Sequence, residues 1–324
     1  MALPDSALEF LRLQADRVRR LPRRQRIVFP EGGDARVQAA AQRLTSEGLV
    51  EPILVTAESA AADPRLPKYA ALLHERRRAK GMTQSEAAQT AARPLYFSCL
   101  MVGAGEADGF VGGAANSTGD TVRAALHAIG PAPRVTTVST FMLLCVRNRA
   151  IGHHGVLAIA DPAMVVEPTP GELADITLAT AASVRALLGV EPVVAMLSFS
   201  TKGSGQHKKS EAVVEAFRIV QARAPELHVD AELQADAALV EAVGRFKAPG
   251  STVSGKVNTL IFPEINSANI GYKLVERLGD AQAIGPFLQG LAKPANDLSR
   301  GCSADDIYGA ALVTALQAGA AAAP

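Results

Sequence analysis

Short runs rich in β-branched and apolar residues alternate along this chain with longer segments of helical periodicity, and that alternation limits the possible folds most. It specifies an α/β fold, with parallel strands joined by crossover helices and covered on both faces. Residues 26–29 read as a strand and 34–47 as a helix with Asp34 as its N-cap. A second strand is expected at 52–56. Thr83-Gln84-Ser85-Glu86 is a capping box opening a helix that continues toward Gly103. A strand at 109–111 and a helix at 118–129 follow. Farther on, strands at 155–160, 192–197 and 259–262 interleave with helices at 171–188, 210–224, 235–246, 267–278 and 303–317. The Ala/Gly/Pro tail after Gln317 is expected to fray. At 324 residues the chain exceeds most single cores, so two domains or one large α/β unit are expected. No repeat or long linker is evident, which favours domains joined by continuous chain crossings.

Charge narrows the partners. The 33 basic and 32 acidic residues leave a formal net charge of +1, so the chain has no electrostatic reason to seek nucleic acid or an anionic membrane. An anionic ligand must therefore be met by a few local arginines, lysines and backbone amides. Cys99, Cys145 and Cys302 form an odd set without CxxC spacing, which argues against a disulfide framework or structural zinc and fits a reducing cytoplasm. The segment Met1 to Leu21 is amphipathic, carries Arg17, Arg19 and Arg20, and has no apolar stretch like that of a signal peptide. No run of about 20 residues is apolar enough to span a bilayer.

Three segments carry candidate chemistry, each with a plainer alternative. Ser200-Thr201-Lys202-Gly203-Ser204-Gly205 follows a strand and precedes a helix, so its amides and Lys202 suit a phosphate. It lacks the Walker A pattern, and its plainer reading, which spacing alone favours, is a glycine-rich turn with an exposed lysine. In the run from Gly112 to Arg123, Ser117 and Thr118 stand at a helix start and Arg123 about one turn on. They can hold an anion, or Ser117 or Thr118 can cap the helix while Arg123 is solvated. Asn296-Asp297-Leu298-Ser299-Arg300-Gly301 crowds a serine, an arginine and a carboxylate together, with Asp306 six residues past Arg300. Arg300 could grip phosphate, Ser299 could donate to an oxyanion and Asp306 could act as general base. Alternatively, Ser303-Ala304-Asp305-Asp306 is only a capping box. Glu232 and Asp236 lie a turn apart at a helix start, where acids complement the dipole. His153 and His154 are adjacent, and His74, His127, His207 and His228 are isolated. No metal site is proposed.

The ordered motifs resemble the phosphate acetyltransferase (phosphotransacetylase) family over essentially the whole chain. They begin with Ala195 to Ser204 and Glu232 to Ala238, and continue with Lys247-Ala248-Pro249-Gly250-Ser251, Ile261-Phe262-Pro263 and Asn269 to Lys273. Gly285-Pro286, Gln289 to Pro294 and Asn296 to Ser303 complete the set. The resemblance implies a two-domain parallel-sheet architecture similar to the isocitrate and isopropylmalate dehydrogenases, with the active site in the interdomain cleft. Residues 1–133 plus 287–324 would form the first domain and 134–286 the second. The implied reaction is reversible acetyl transfer between acetyl phosphate and CoA, with CoA as a substrate, no further cofactor, and a homodimer as the common assembly.

Carried onto this sequence, the resemblance implies that Asp306 is the base for the CoA thiol. Ser299 would stabilise the transition state and Arg300 would hold the phosphate, with Arg77, Arg123, Ser117 and Lys202 binding substrate. Two departures matter. Arg149 stands where some members carry a reactive cysteine, which favours direct attack of CoA. Ala231 replaces a glycine in Asp230-Ala231-Glu232-Leu233-Gln234, at a cost of about 1 kcal/mol if that position needs a positive φ. Three rival readings are a butyryl phosphate transferase, a metal- and nicotinamide-dependent dehydrogenase of the same architecture, and a non-catalytic module of the kind appended to malic enzyme.

Overall fold

A computed structural model describes residues 3–321. In chain order the elements are α1 (Asp5–Arg19), β1 (Gln25–Phe29), α2 (Ala35–Ser46), β2 (Val50–Leu54), α3 (Ala57–Ala62), α4 (Leu66–Arg77), α5 (Gln84–Ala91), α6 (Pro94–Gly103), β3 (Gly109–Gly112) and α7 (Thr118–Ala128). Then come β4 (Ser139–Cys145), β5 (Val156–Ala160), α8 (Pro170–Leu188), β6 (Val193–Leu197), α9 (Lys208–Arg223), β7 (His228–Leu233), α10 (Ala235–Leu239) and α11 (Glu241–Lys247). The chain closes with β8 (Thr259–Ile261), α12 (Ile265–Leu278), β9 (Gln282–Gln289), β10 (Ala295–Asp297) and α13 (Ala304–Ala321). Two compact units result. A terminal unit holds Leu11–Val135 and the chain from Gly290 on; a central unit holds Thr136–Gln289 and the N-terminal segment to Phe10.

In the terminal unit the strands run in the order β2-β1-β3-β10, and every pair is parallel. Ile27, Val28 and Phe29 of β1 are fully buried, as is most of β3, which is the near-continuous apolar pattern of a covered parallel sheet. Helix α6 is buried along Leu95 to Val102, and α13 buries Ile307, Tyr308 and the run from Ala310 to Ala315. In three parallel neighbours, β1, β3 and β10, the carboxyl ends open into loops at residues 30–34, 113–117 and 298–303. Ligands of open α/β sheets bind at such ends.

The central unit has the strand order β9-β4-β5-β8-β6-β7. Here β5, β8, β6 and β7 are parallel, but β4 is antiparallel to both β5 and β9. The sheet is thus mostly parallel, as expected, with β4 the exception in this unit. Residues 146–155 join β4 to β5 without a helix, and a parallel pair needs a crossover long enough to carry the chain back. Met142, Leu144, Leu157, Ile159, Ala195 and Leu260 pack with Val253 and Val257 in one apolar cluster.

Other differences have local causes. The helix expected to run from Gln84 to Gly103 breaks into α5 and α6 at Arg93, because Pro94 cannot donate and disfavours helical geometry in the residue before it. The helix expected over 235–246 is two short ones separated by an extended Val240 (φ −111°, ψ 110°). The last helix does not stop at Gln317 but continues to Ala321, and the remaining residues of the tail lie outside the described ones. Asp34 and Thr83 cap their helices as expected, Thr83 in a reciprocal box with Glu86.

Candidate active site

Four of the sequence-predicted residues are placed by the loops at the carboxyl edge of the terminal sheet. β10 is only three residues long and is pinned from both sides: Asn296 Nδ2 donates to Thr314 Oγ1 (2.8 Å) and Gln317 Oε1 (2.8 Å) on α13, and the strand pairs with β3. Just beyond it, the Cys302 amide donates to Ser299 O (2.9 Å) and the Gly301 amide to Ser299 Oγ (3.3 Å), which tightens the loop carrying Ser299 and Arg300. Both side chains are exposed.

Asp306, in the first turn of α13, forms the capping box. Its Oδ2 accepts from Ser303 N (2.8 Å) and Ser303 Oγ (2.9 Å), and its own amide donates to Ser303 Oγ (3.2 Å). Across the loop, Ser117 caps α7 by accepting from Asp120 N and donating to Asp120 Oδ2 (2.7 Å). Arg123 ion-pairs with the same aspartate at 2.8 Å, so Asp120 links Ser117 to Arg123 on one exposed helix face.

Arg77 ends α4, with its Nε buried and no hydrogen-bond partner at that atom. Arg77 and Arg123 both act on the Tyr96–His127 pair, in which the tyrosine hydroxyl lies 3.1 Å from His127 Nδ1. Burial, then the two guanidinium charges, hold His127 below its ordinary pKa. Arg93, at the start of α6, adds a third cation within reach of Tyr96.

The residue that ties the loops together was not among those singled out in the sequence. Arg36, two residues past the N-cap Asp34, is aligned by that carboxylate (2.7 Å from Nη2). It donates to Arg300 O (2.9 Å), Cys302 O (2.9 Å) and Ala114 O (2.9 Å). One guanidinium thus staples the Ser299–Arg300 loop to the glycine turn before α7. Hydrogen bonding to Arg36 is the leading cause that draws Asp34 down to about 2. Glu31 was also missed. Its Oε1 accepts from Gly113 N (2.9 Å), Ala115 N (3.3 Å) and Asn116 Nδ2 (2.7 Å). Glu31 and Arg36 lie at the short connection from a strand to a capped helix, and that segment carries no motif spacing to mark them.

Lys202 belongs to the central unit. Its ammonium is ion-paired with Asp230 and donates to Ala231 O (3.0 Å), while its amide donates to Glu232 O (3.0 Å). Gly203 N donates to Glu232 Oε2 (2.7 Å) and Gln234 N to Thr201 Oγ1 (2.9 Å), so two sequence motifs lock onto each other. Opposite β6 the register skips Glu232, which takes φ 53°. The left-handed residue of this bulge is therefore Glu232 and not Ala231, and the cost anticipated for Ala231 does not arise. Arg149 pairs with Glu9 at 2.5 Å. Cys99, Cys145 and Cys302 are free and buried. Burial raises Cys145 and Cys302, to about 12 and about 11, so neither is an activated nucleophile. Among the described residues, no three His, Cys, Asp or Glu side chains converge to hold a metal ion, and no helix is long and apolar enough to cross a membrane.

An exposed serine and arginine on one loop at the carboxyl edge of a parallel sheet, with a carboxylate in the helix turn behind them, suit the transfer of an acyl or phosphoryl group. Known proteins make the class specific. Residues 13–315 match the family model described as "Phosphate acetyl/butaryl transferase". The phosphate acetyltransferase of Acetivibrio thermocellus is 44% identical over 310 residues, covering 90% of this chain and 93% of that protein. The one from Paracoccus denitrificans is 45% identical over 299 residues, covering 90% and 94%. A solved phosphotransacetylase from Streptococcus pyogenes superposes with a TM-score of 0.88 at 40% identity, over 98% of this chain and 99% of that one. A putative 4-hydroxythreonine-4-phosphate dehydrogenase from Salmonella typhimurium (TM-score 0.50, 12% identity) shares the fold alone. The chain belongs to the phosphate acetyl/butyryl transferase family and is an acyltransferase.

Proposed function

We propose that the chain transfers an acetyl group reversibly between acetyl phosphate and CoA, by direct attack of the CoA thiolate in a ternary complex. The observation that carries this reading is the Ser299–Arg300 loop, stapled by Arg36 to the glycine turn and backed by Asp306, in a chain 44% identical to a phosphate acetyltransferase. Asp306 takes the thiol proton; the sulfur attacks the acetyl carbon, and the bond from that carbon to the phosphate oxygen breaks. Ser299 Oγ donates to the carbonyl oxygen as it gains charge, and Arg300 grips the departing phosphate through two N–H bonds. A thiol titrates above neutrality, so a nearby carboxylate raises the reactive fraction. Phosphate leaves as a stable anion and needs no strong acid.

Ser117, Arg77 and Arg123 are assigned to substrate binding, the two arginines for a ligand rich in phosphate such as CoA. For Lys202 that role requires exchanging Asp230 for a substrate anion. Arg149, engaged with Glu9, supports the direct route over an acyl-cysteine at that position. The cytoplasm is the proposed location, in keeping with three free cysteines. A homodimer is proposed, supported by α12, whose Ile270, Leu274 and Leu278 recur at four-residue spacing and are exposed by 56%, 52% and 82%.

The test is to mix purified protein with acetyl phosphate and CoA and follow the thioester absorbance. Formation of acetyl-CoA is expected, and a protein that makes none would return the chain to a non-catalytic role. Because the family description names both acyl groups, turnover of butyryl phosphate is measured alongside; acetyl phosphate is expected to be preferred.

A further inference from the structure

Beneath the glycine turn lies a carboxyl that the transfer chemistry leaves without a task. Asp297 is 1% exposed and neither of its oxygens meets a donor at hydrogen-bonding geometry, although the hydroxyls of Thr118 and Thr121 and the Leu298 amide favour its ionised form. Glu31 is in a related condition, with Oε1 accepting three donors and Oε2 buried without one. The two carboxyls meet at Gly113. Its amide bonds Glu31, and a Cβ built on it would stand 2.3 Å from Asp297 Oδ1. A second negative charge in such surroundings, on a carboxyl with no donor of its own, is costly. A proton on Asp297 removes that charge and leaves the buried carboxyl with an O–H of its own to donate.

We propose that Asp297 is a positioning residue of the transfer site: its neutral carboxyl holds the Gly113–Ser117 turn and the Ser299–Arg300 loop in register, so an anionic substrate binds together with a proton taken up by Asp297. The inference rests on Arg300 holding the phosphate. Asp297 ends the strand that delivers that loop, and the pairing continues past it, with Leu298 N donating to Gly112 O (2.8 Å). A dianion drawn to the loop adds a like charge and favours the neutral acid further. Burial, followed by the Glu31 charge, already pushes the carboxyl up to about 6 against the pull of the two threonines. Glu31 is the charge that faces it. On α7, Asp120 is paired with Arg123; on α13, Asp305 pairs with Arg43 and Asp306 accepts from Ser303; in the loop after β1, Asp34 pairs with Arg36.

Sulfate is the probe, because it stays a dianion where phosphate titrates. Calorimetry in two buffers of different ionisation heat should show native protein taking up close to one proton per sulfate bound at about pH 7. Sulfate inhibition should weaken toward tenfold per pH unit above that, the slope of a single required proton. Asp297→Asn should take up none and give a flat inhibition profile. Glu31→Gln, which removes the facing charge, should move the onset of weakening to lower pH. Native protein that binds sulfate without proton uptake, or does not bind it at about pH 6, overturns the inference, as does a native slope in Asp297→Asn. Failure of the native protein to make acetyl-CoA would instead remove the functional reading; the calorimetric measurement does not depend on turnover.

Discussion

At Asp306 one carboxylate serves two ends. Its Oδ2 closes the capping box with Ser303, and the same group is the proposed base for the thiol. The two roles separate by substitution. Asp306→Asn keeps an oxygen able to accept from Ser303 N but loses the base, so turnover should fall by about 10²–10⁴-fold with little loss of stability. Ser303→Ala keeps the base and loses the box, so about 1 kcal/mol of stability should go, with turnover much less affected. Paired kinetic and unfolding measurements on the two variants check this, and equal losses of turnover would confine Asp306 to the cap. Arg300 differs because its backbone, not its side chain, is what Arg36 holds. Arg300→Ala should therefore fold normally and lose about 10²-fold in kcat/KM for acetyl phosphate, the scale of a charge-assisted bidentate contact. Arg300→Lys should recover only part, since an ammonium cannot reproduce the fork.

Among the elements, Gly113 is the point where β3, β10 and the turn to α7 crowd together. It takes φ 111°, and a Cβ there would meet Asp297 Oδ1 at 2.3 Å, Leu298 O at 2.6 Å and Leu298 N at 2.8 Å. Gly113→Ala should cost about 2–4 kcal/mol and most of the turnover, as left-handed strain and overpacking add. Gly171, in the first turn of α8 with nothing within 4 Å of its Cβ position, provides the control. Gly171→Ala should stabilise by about 0.4–1 kcal/mol. Chemical unfolding of both variants decides between a steric and a general glycine effect. The same elements mark what could be read in the chain. Strands such as β1 and β6, and capped helices such as α2, follow from local apolar runs and caps. β10 was not legible: three residues after Pro294 have no period, and they become a strand only because β3 offers partners nearly two hundred positions earlier. β9 was hidden by Gly285-Pro286 in its interior. Within the site, Ser299, Arg300 and Asp306 are close in sequence and could be singled out together. Arg36 and Glu31 reach the same loops from the other end of the chain, and no spacing rule announces that.

For the molecule as a whole, opposing carboxyl shifts set the response of stability to pH. Glu106, bonded first by Lys68 and then by Tyr69 and Arg65, is held down at about 2, and Asp34 at about 2 by Arg36. Groups depressed below their unfolded value of about 4 bind fewer protons when folded, so their contribution is present above that pH and is lost as pH falls toward 2. These pairs are partly exposed, so salt should weaken the effect. Asp297 works in the opposite sense. Raised to about 6 by burial, it binds more protons folded than unfolded between about pH 4 and 6, so its titration lowers stability as pH rises through that window. Native protein should accordingly gain stability from about pH 2 to 4, lose part of it by about pH 6 and then level off. Asp297→Asn removes only the second limb. The difference between the two proteins should grow from near zero at about pH 4 to about 3 kcal/mol in favour of the variant at about pH 7, the value of a shift of about two units. Urea midpoints across that range, converted with a common slope, measure it directly. Parallel curves for native protein and variant from about pH 4 to 7 would mean that Asp297 titrates like an exposed carboxylate, and the proton it is proposed to share with the anion site would be lost with that result.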